Sequence, residues 1–270
     1  MGWTTSEHEE ATRTGEVRGE LVVYGSAPGE FGELWIPAAN GADGHPIIVV
    51  IHGGFWSRRA ADYSIMSGLS HALFESGFAV WNIEYGRVGE VQGGWPHTLE
   101  HIAHAVDHVD TLAKDYAIDA SRLGVVGHSA GGQLAIWSAG RGDLEFDDPG
   151  SNPGLIPSVV VALAPISDIE RADREGLGDD AVRKLLGGHL DAVPDRYRVL
   201  GVGRASPQVQ IILAADDSTV PERFALGGFE GEPEQVRRLD GLDHFDLIAP
   251  SGDAMTAILD ALHIFQSERE

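Results

Sequence analysis

The sequence predicts an α/β protein: a mainly parallel, eight-stranded sheet with helices on both faces and a small cap inserted late in the chain. Three observations carry this. First, apolar β-branched runs such as Ile47 to Ile51 and Ser158 to Leu163 lack alternation, as expected of strands buried on both faces of a parallel sheet. Second, segments of helical periodicity separate these runs, so strand and helix alternate. Third, Gly127-His128-Ser129-Ala130-Gly131-Gly132 joins one strand directly to a helix through a glycine-flanked turn.

The elements follow in order. Residues 1 to about 16 are polar. Val17 to Tyr24 and Gly32 to Ile36, split by Gly25-Ser26-Ala27-Pro28-Gly29, read as an antiparallel pair at the sheet edge. Ile47 to Ile51 is the first buried strand. A helix from Asp62 to Ser76 stops at Gly77, and Phe78 to Ile83 is the next strand. Thr98 to Tyr116 reads as one long helix, followed by the Leu123 to Val126 strand and the glycine-flanked turn. Strands at Ser158 to Leu163, Gln208 to Leu213 and Gln235 to Leu239 follow, and an amphipathic helix from Asp253 to Gln266 closes the chain. Two stretches interrupt the alternation: an acidic loop from Arg141 to Pro157, and a charged, helix-prone segment spanning 168–207, read as the cap of a single domain spanning 1–270.

Composition narrows the function. The 19 Lys and Arg against 42 Asp and Glu leave a formal charge of −23, which repels nucleic acid and anionic membrane surfaces. The chain has no cysteine, which excludes disulfides, a thiolate nucleophile and a cysteine zinc site. Residues 1–20 contain no apolar core of a secretory signal and no apolar run reaches membrane-spanning length, so the expected location is the cytoplasm.

A strand, a sharp small-residue turn and a helix in succession is the context in which Gly-x-Ser-x-Gly presents a nucleophile. Ser129 stands at the apex, and the N–H of Ala130, at the helix start, faces the oxygen that turns negative when Ser129 attacks a carbonyl. A serine hydroxyl needs a base, and the base needs an orienting carboxylate. Both occur downstream, each on a loop after a strand: Asp216-Asp217-Ser218-Thr219-Val220-Pro221, then Asp243-His244-Phe245-Asp246. His244 is the expected general base and acid. Asp217 is the expected orienting acid, with Asp216 its near rival, while Asp243 and Asp246 are expected to be solvated or to cap the loop. His52-Gly53-Gly54-Phe55-Trp56 follows the Ile47 to Ile51 strand, and its glycines let backbone N–H groups approach a substrate oxygen. Gly54 and Phe55 are the expected further oxyanion donors, and His52 is expected to pin the loop through its side chain.

These motifs, with Ser, Asp and His in that chain order, resemble the α/β-hydrolase superfamily over about residues 45 to 265. The His-Gly-Gly-Phe-Trp loop, Gly-His-Ser-Ala-Gly-Gly and His-Phe-Asp-Leu-Ile resemble the branch holding kynurenine (aryl) formamidases and carboxylesterases related to hormone-sensitive lipase. The preference for Asp217 over Asp216 rests on the Asp-x-x-Val-Pro spacing of that superfamily. The resemblance implies a small ester or aryl formamide as substrate. It departs at Phe55, where such formamidases usually carry Tyr and lipase-branch esterases a third Gly.

Aromatic residues on loops at the strand C-terminal edge, Phe55, Trp56, Tyr85, Trp95 and Phe245, are expected to line a substrate pocket. His97, His101, His104 and His108 recur at helical spacing opposite an apolar face, which predicts a solvent-facing stripe rather than a metal site. The expected chemistry therefore calls for no metal and no cofactor. The sequence leaves monomer and homodimer open. A hydrolase-fold binding protein without turnover and a peptidase are the competing readings.

Overall fold

The computed structural model describes residues 19–38, 44–203, 206, 208–229 and 231–265. Eight strands form one sheet: β1 (Glu20–Val23), β2 (Phe31–Trp35), β3 (His45–Ile51), β4 (Ala79–Ile83), β5 (Ile118–His128), β6 (Val159–Leu163), β7 (Val209–Ala214) and β8 (Val236–Leu239). Their spatial order is β1-β2-β4-β3-β5-β6-β7-β8. β1 and β2 pair antiparallel, β2 meets β4 antiparallel, and every other pairing is parallel. The antiparallel pair thus sits at one edge, as expected.

Helices cover both faces because the central strands are apolar on both. β3 is buried throughout. Its Ile47, Val49 and Ile51 enter the core on one face, while Ile48 and Val50 enter the core on the other. The first core takes α2 (His97–Asp107), α3 (Val109–Asp115) and α4 (Ala130–Ala139); the second takes α1 (Ser67–Glu75) and α9 (Asp253–Ala261). No described helix is long and apolar enough to cross a membrane.

Three boundaries differ from expectation. The helix expected from Thr98 to Tyr116 is two helices, because the Thr111 N–H bonds the His108 carbonyl at 2.8 Å and tightens the chain there. β5 starts five residues early: beyond a register shift at Pro46 and Ile47, Ile118 and Asp119 pair with His45 and Pro46. Its polar mixture of Asp119, Ser121 and Arg122 hid that end. The closing helix stops at Ala261 and continues as a 3-10 turn from His263 to Phe265, and Gln266 lies outside the described residues, as do Val17 and Arg18.

Between β6 and β7 the expected cap segment forms α5 (Ile169–Arg174), α6 (Leu177–Leu186) and α7 (Pro194–Leu200). It docks over the strand C-terminal edge through two of its backbone carbonyls, that of Leu185 accepting the Trp95 N–H at 2.8 Å and that of Leu200 accepting the Gln133 side-chain amide at 2.9 Å. Arg204, Ala205 and Pro207, the end of the expected cap, lie outside the described residues. A short helix α8 (Glu222–Leu226) follows the turn after β7.

Candidate active site

The geometry begins at Ser129. β5 ends at His128 and α4 begins at Ala130, so a single residue makes the turn, with φ 57° and ψ −120°. A non-glycine residue in that region is strained and persists only where its surroundings dictate it. They do so through close approach: a β-carbon on Gly131 would meet the Ile51 and His52 carbonyls, and one on Gly127 would meet the Gly131 carbonyl. The start of α4 is therefore wedged against the end of β3, which puts its unbonded first-turn N–H groups at the sheet edge.

His244 and Asp217 meet there. His244 is 4 % exposed, and its Nδ1 donates to Asp217 Oδ2 at 2.6 Å. Asp217 Oδ1 accepts the N–H groups of Thr219 and Val220, each at 2.8 Å. This explains the Asp-x-x-Val-Pro pattern physically: the two amides fix one carboxylate oxygen so that the other faces the imidazole. Asp216 is exposed, and the carboxylate bonded to His244 is that of Asp217. Asp243 and Asp246 cap each other's backbone N–H groups, which shapes the loop that carries His244. No hydrogen bond joins the Ser129 hydroxyl to His244 among the described residues; such bonds commonly tighten only around substrate. The elbow and the histidine are tied instead by His128, whose Nε2 donates to the His244 carbonyl at 2.9 Å, with the two rings 4.4 Å apart.

The His52-Gly53-Gly54-Phe55-Trp56 loop lies against this pair. A β-carbon on Gly53 would sit 3.0 Å from Ser129 Cβ, so the loop backbone abuts the elbow. Gly54, Phe55 and Trp56 have φ of 106°, 50° and 54°. His52 is fully buried; its Nε2 donates to Glu84 Oε1 at 2.9 Å, and its Nδ1 lies 2.7 Å from the Gly53 carbonyl. Glu84 also accepts Tyr85 N–H at 2.9 Å and Tyr63 N–H at 3.3 Å. Tyr85 stacks on His52 with centroids 4.3 Å apart and donates its hydroxyl to the His52 carbonyl at 3.0 Å. Burial, with Glu84 nearby, pushes the Tyr85 phenol far above its ordinary range, so it stays a neutral donor. Glu84 was missed in the sequence; its signal is a carboxylate at the end of the buried run Ala79 to Ile83.

The aromatic residues separate by role. Trp56 and Tyr85 are fully buried beneath the loop. Phe245 is 49 % exposed and packs edge-on against His244 at 5.3 Å. Trp95 lies under the Arg196 guanidinium at 5.5 Å and lines a cleft of about 710 Å³ with Pro96, Glu100, His104, Asp107 and Arg141; neither Ser129 nor His244 lines it.

The histidine stripe is corrected in part. His97 and His104 pair with Glu100 and Glu30 at 3.0 and 2.6 Å. His101, expected to face solvent, is 4 % exposed and accepts the Gly86 N–H at 2.9 Å, because the loop after β4 folds over α2. Among the described residues, no three His, Cys, Asp or Glu side chains are grouped to hold a metal.

Similarity to known proteins bears on the family and the fold that carry this arrangement. Residues 33–225 match the family model of BD-FAE. A bifunctional GH43-CE protein of Bacteroides eggerthii shares 17% identity with a TM-score of 0.73, over 92% of this chain and 35% of that one, so the chain spans about a third of it. A truncated carbohydrate esterase from gut microbiota shares 18% over 99% of this chain and 100% of that chain, with a TM-score of 0.72. Esterase B of Lactobacillus rhamnosis, in a structure with a tributyrin phosphonate, shares 16% over 98% of this chain and 92% of that chain, with a TM-score of 0.77. At such identities the likeness to these structures is one of fold. The sheet order, the elbow at Ser129 and a family match running from Glu33 to Ala225 place the chain in the BD-FAE family, with the α/β-hydrolase fold.

Proposed function

We propose that the protein is a serine hydrolase that cleaves a small carboxylic ester through an acyl-enzyme. The observation that carries this reading is the Asp217 to His244 bond of 2.6 Å beside a strained serine at a strand-to-helix turn. Ser129 Oγ bonds to the ester carbonyl carbon as its proton passes to His244 Nε2, while Asp217 holds the Nδ1–H and balances the imidazolium. The carbonyl oxygen becomes an oxyanion held by the N–H of Ala130 and those of Gly54 and Phe55, each such donor contributing about 3 kcal/mol. The C–O bond to the alcohol breaks, and His244 returns the proton to that oxygen. Water then attacks the acyl group with His244 as base, releasing the acid and restoring the Ser129 hydroxyl. No step calls on a metal or cofactor.

The family match and the fold shared with a protein named as a carbohydrate esterase support an acyl ester on a sugar as the substrate to try first. Phe245, half-exposed beside His244, is the aromatic residue proposed to contact it, and the fully buried Trp56 and Tyr85 are proposed to shape the site from behind the His52 to Trp56 loop, whereas Trp95 lines the separate cleft. A fluorophosphonate probe should label wild-type protein at Ser129 and leave Ser129→Ala unlabelled. The same pair should be assayed with p-nitrophenyl acetate and butyrate, an acetylated xylo-oligosaccharide and N-formylkynurenine. Turnover of the esters ahead of the formamide supports the reading; the reverse order makes it an aryl formamidase, and pure protein with no turnover and no burst makes it a binding protein.

A further inference from the structure

Outside the Ser129, Asp217 and His244 set, the strained backbone is concentrated on two sides of one contact. The described non-glycine residues with positive φ are Phe55, Trp56, Ser129, Asn152, Ala164, Asp179 and Asp180. Four of these seven belong to two runs: Gly54-Phe55-Trp56, and Gly178-Asp179-Asp180 with φ of 62°, 58° and 62° inside α6. The second run is a left-handed turn, held open by ion pairs of Lys184 with Asp179 and of Arg183 with Asp180. The two runs touch. The Phe55 ring lies so close over Gly178 that a β-carbon there would be 2.6 Å from Cε1 and 2.8 Å from Cγ, inside the ring's van der Waals envelope. Only a hydrogen fits between them. Backbone strain of this kind survives where structure on both sides over-determines it.

We propose that Gly178 is a positioning residue for the oxyanion loop: the left-handed turn at the start of α6 seats the Phe55 ring, and the seat sets the direction of the Gly54 and Phe55 N–H groups. The proposal rests on the hydrolase reading above. The Phe55 ring joins its backbone through χ1, whose staggered wells are restricted where φ is 50°, so a ring pushed off its seat is accommodated by a shift of the backbone that carries the donor. Cap and oxyanion loop then act as one unit, which gives the inserted helices a part in the chemical step as well as in shaping the cavity.

The test is Gly178→Asn, because Asn, like Asp179 and Asp180, tolerates the left-handed region and so adds a β-carbon with little backbone penalty. With p-nitrophenyl butyrate, kcat should fall about tenfold or more while KM changes by less than about threefold, the signature of a lost transition-state contact. Combined with Phe55→Ala, which removes the ring, Gly178→Asn should cost less than about threefold relative to Phe55→Ala alone. Equal losses in both backgrounds, or wild-type kcat in Gly178→Asn, overturn the proposal. Should the single variant not fold, recovery of folding in the double variant supports the contact, and a double variant that fails to fold where Phe55→Ala folds overturns it. Ser129→Ala separates the two readings: activity surviving in it removes the hydrolase itself, whereas an inactive Ser129→Ala beside an unaffected Gly178→Asn removes only the role of Gly178.

Discussion

The Nε2 of His128 donates to the carbonyl oxygen of His244 at 2.9 Å, across 116 positions of the chain, and the two rings lie 4.4 Å apart. One bond thus links the residue before the elbow serine to the backbone of the histidine. It also fixes the tautomer: with the proton on Nε2, the buried Nδ1 is a bare lone pair without a partner among the described residues. Burial, reinforced by the neighbouring His244, holds the His128 pKa well below the ordinary histidine value. A neutral ring therefore sits beside the imidazole proposed to collect a proton. Two positive charges at that 4.4 Å separation would repel by about 4 kcal/mol at an effective dielectric near 20.

The first prediction concerns this tether. His128→Phe keeps a ring and removes the donor, leaving the His244 carbonyl unpaired. Stability should fall by about 1–3 kcal/mol, and kcat by about tenfold at nearly unchanged KM through loss of alignment. His128→Gln, whose amide can donate, should regain most of the rate. Denaturant melts and p-nitrophenyl butyrate kinetics on both variants measure this; a Phe variant with full kcat contradicts the tether.

The second concerns acid stability. His128, His101 and His108 all have pKa values lowered in the fold, in each case first by burial. A lowered histidine pKa means the unfolded chain binds more protons below its own value near 6.5, so the stabilisation is present above that pH and is lost as pH falls toward the folded values. Each fully buried ring contributes a slope of at most about 1.4 kcal/mol per pH unit in that window. Unfolding free energy measured from pH 7 down to 5 should decline, and His128→Gln should flatten the decline by up to one proton. An unchanged slope in that variant would mean that His128 is not held neutral.

The third concerns Glu84, which is 3 % exposed under the His52 to Trp56 loop, the proposed oxyanion loop. Glu84→Ala leaves His52 Nε2 and the Tyr85 and Tyr63 N–H groups without their acceptor. The cost should be about 3 kcal/mol or more, since buried donors lose their partner all at once, and kcat should fall about a hundredfold as the loop donors lose alignment. Glu84→Gln, which keeps one acceptor oxygen, should lie between. Thermal unfolding together with the rate of phosphonate inactivation distinguishes this from simple destabilisation, because a folded but misaligned loop slows inactivation at temperatures far below the melt.

The sheet was legible because its strands are chemically uniform: a run such as Ile47 to Ile51 has no other use than burial on both faces. The turn at Ser129 and the pairing of Asp217 with His244 were legible because each of these residues follows such a strand on a short loop, and the strand ends converge at one edge. Glu84 and His128 were not, since each is held mainly by groups from other elements, His52 and Tyr63 for Glu84 and the His244 carbonyl for His128, and no local pattern announces them. His101 was misplaced for a related reason. Periodicity gives the face of a helix but not whether a loop, here the one carrying Gly86, folds back over it. Gly178 looked like any glycine in a charged segment, because the ring that excludes a β-carbon comes from Phe55 on a different loop.

The last prediction lies at the far end of α4. Arg141 is 1 % exposed, and its guanidinium forms a fork on Asp107, with Nη1 to Oδ1 at 3.0 Å and Nη2 to Oδ2 at 2.7 Å. Its Nε donates to the Gly150 carbonyl at 2.8 Å, and Asp107 Oδ1 also accepts the N–H groups of Gly154 and Leu155 at 3.1 Å each. The pair therefore fastens the loop from Arg141 to Pro157 onto the end of α2. Asp107→Ala strands a buried guanidinium, which costs about 3–5 kcal/mol, or about 6–20 °C in a chain of this size. Arg141→Met removes the cation along with its need for a partner and fills the space with an apolar chain, so it should cost less than Asp107→Ala even though both delete the same ion pair. Neither change should reach the chemistry, because the ten residues of α4, roughly 15 Å of helix, separate Arg141 from Ser129. Differential scanning calorimetry gives the order of the two variants, and kcat at a temperature where both are folded should stay within about twofold of wild type. An Asp107→Ala protein that melts like wild type would mean that the guanidinium finds another partner or water, and that the loop is held by its backbone bonds alone.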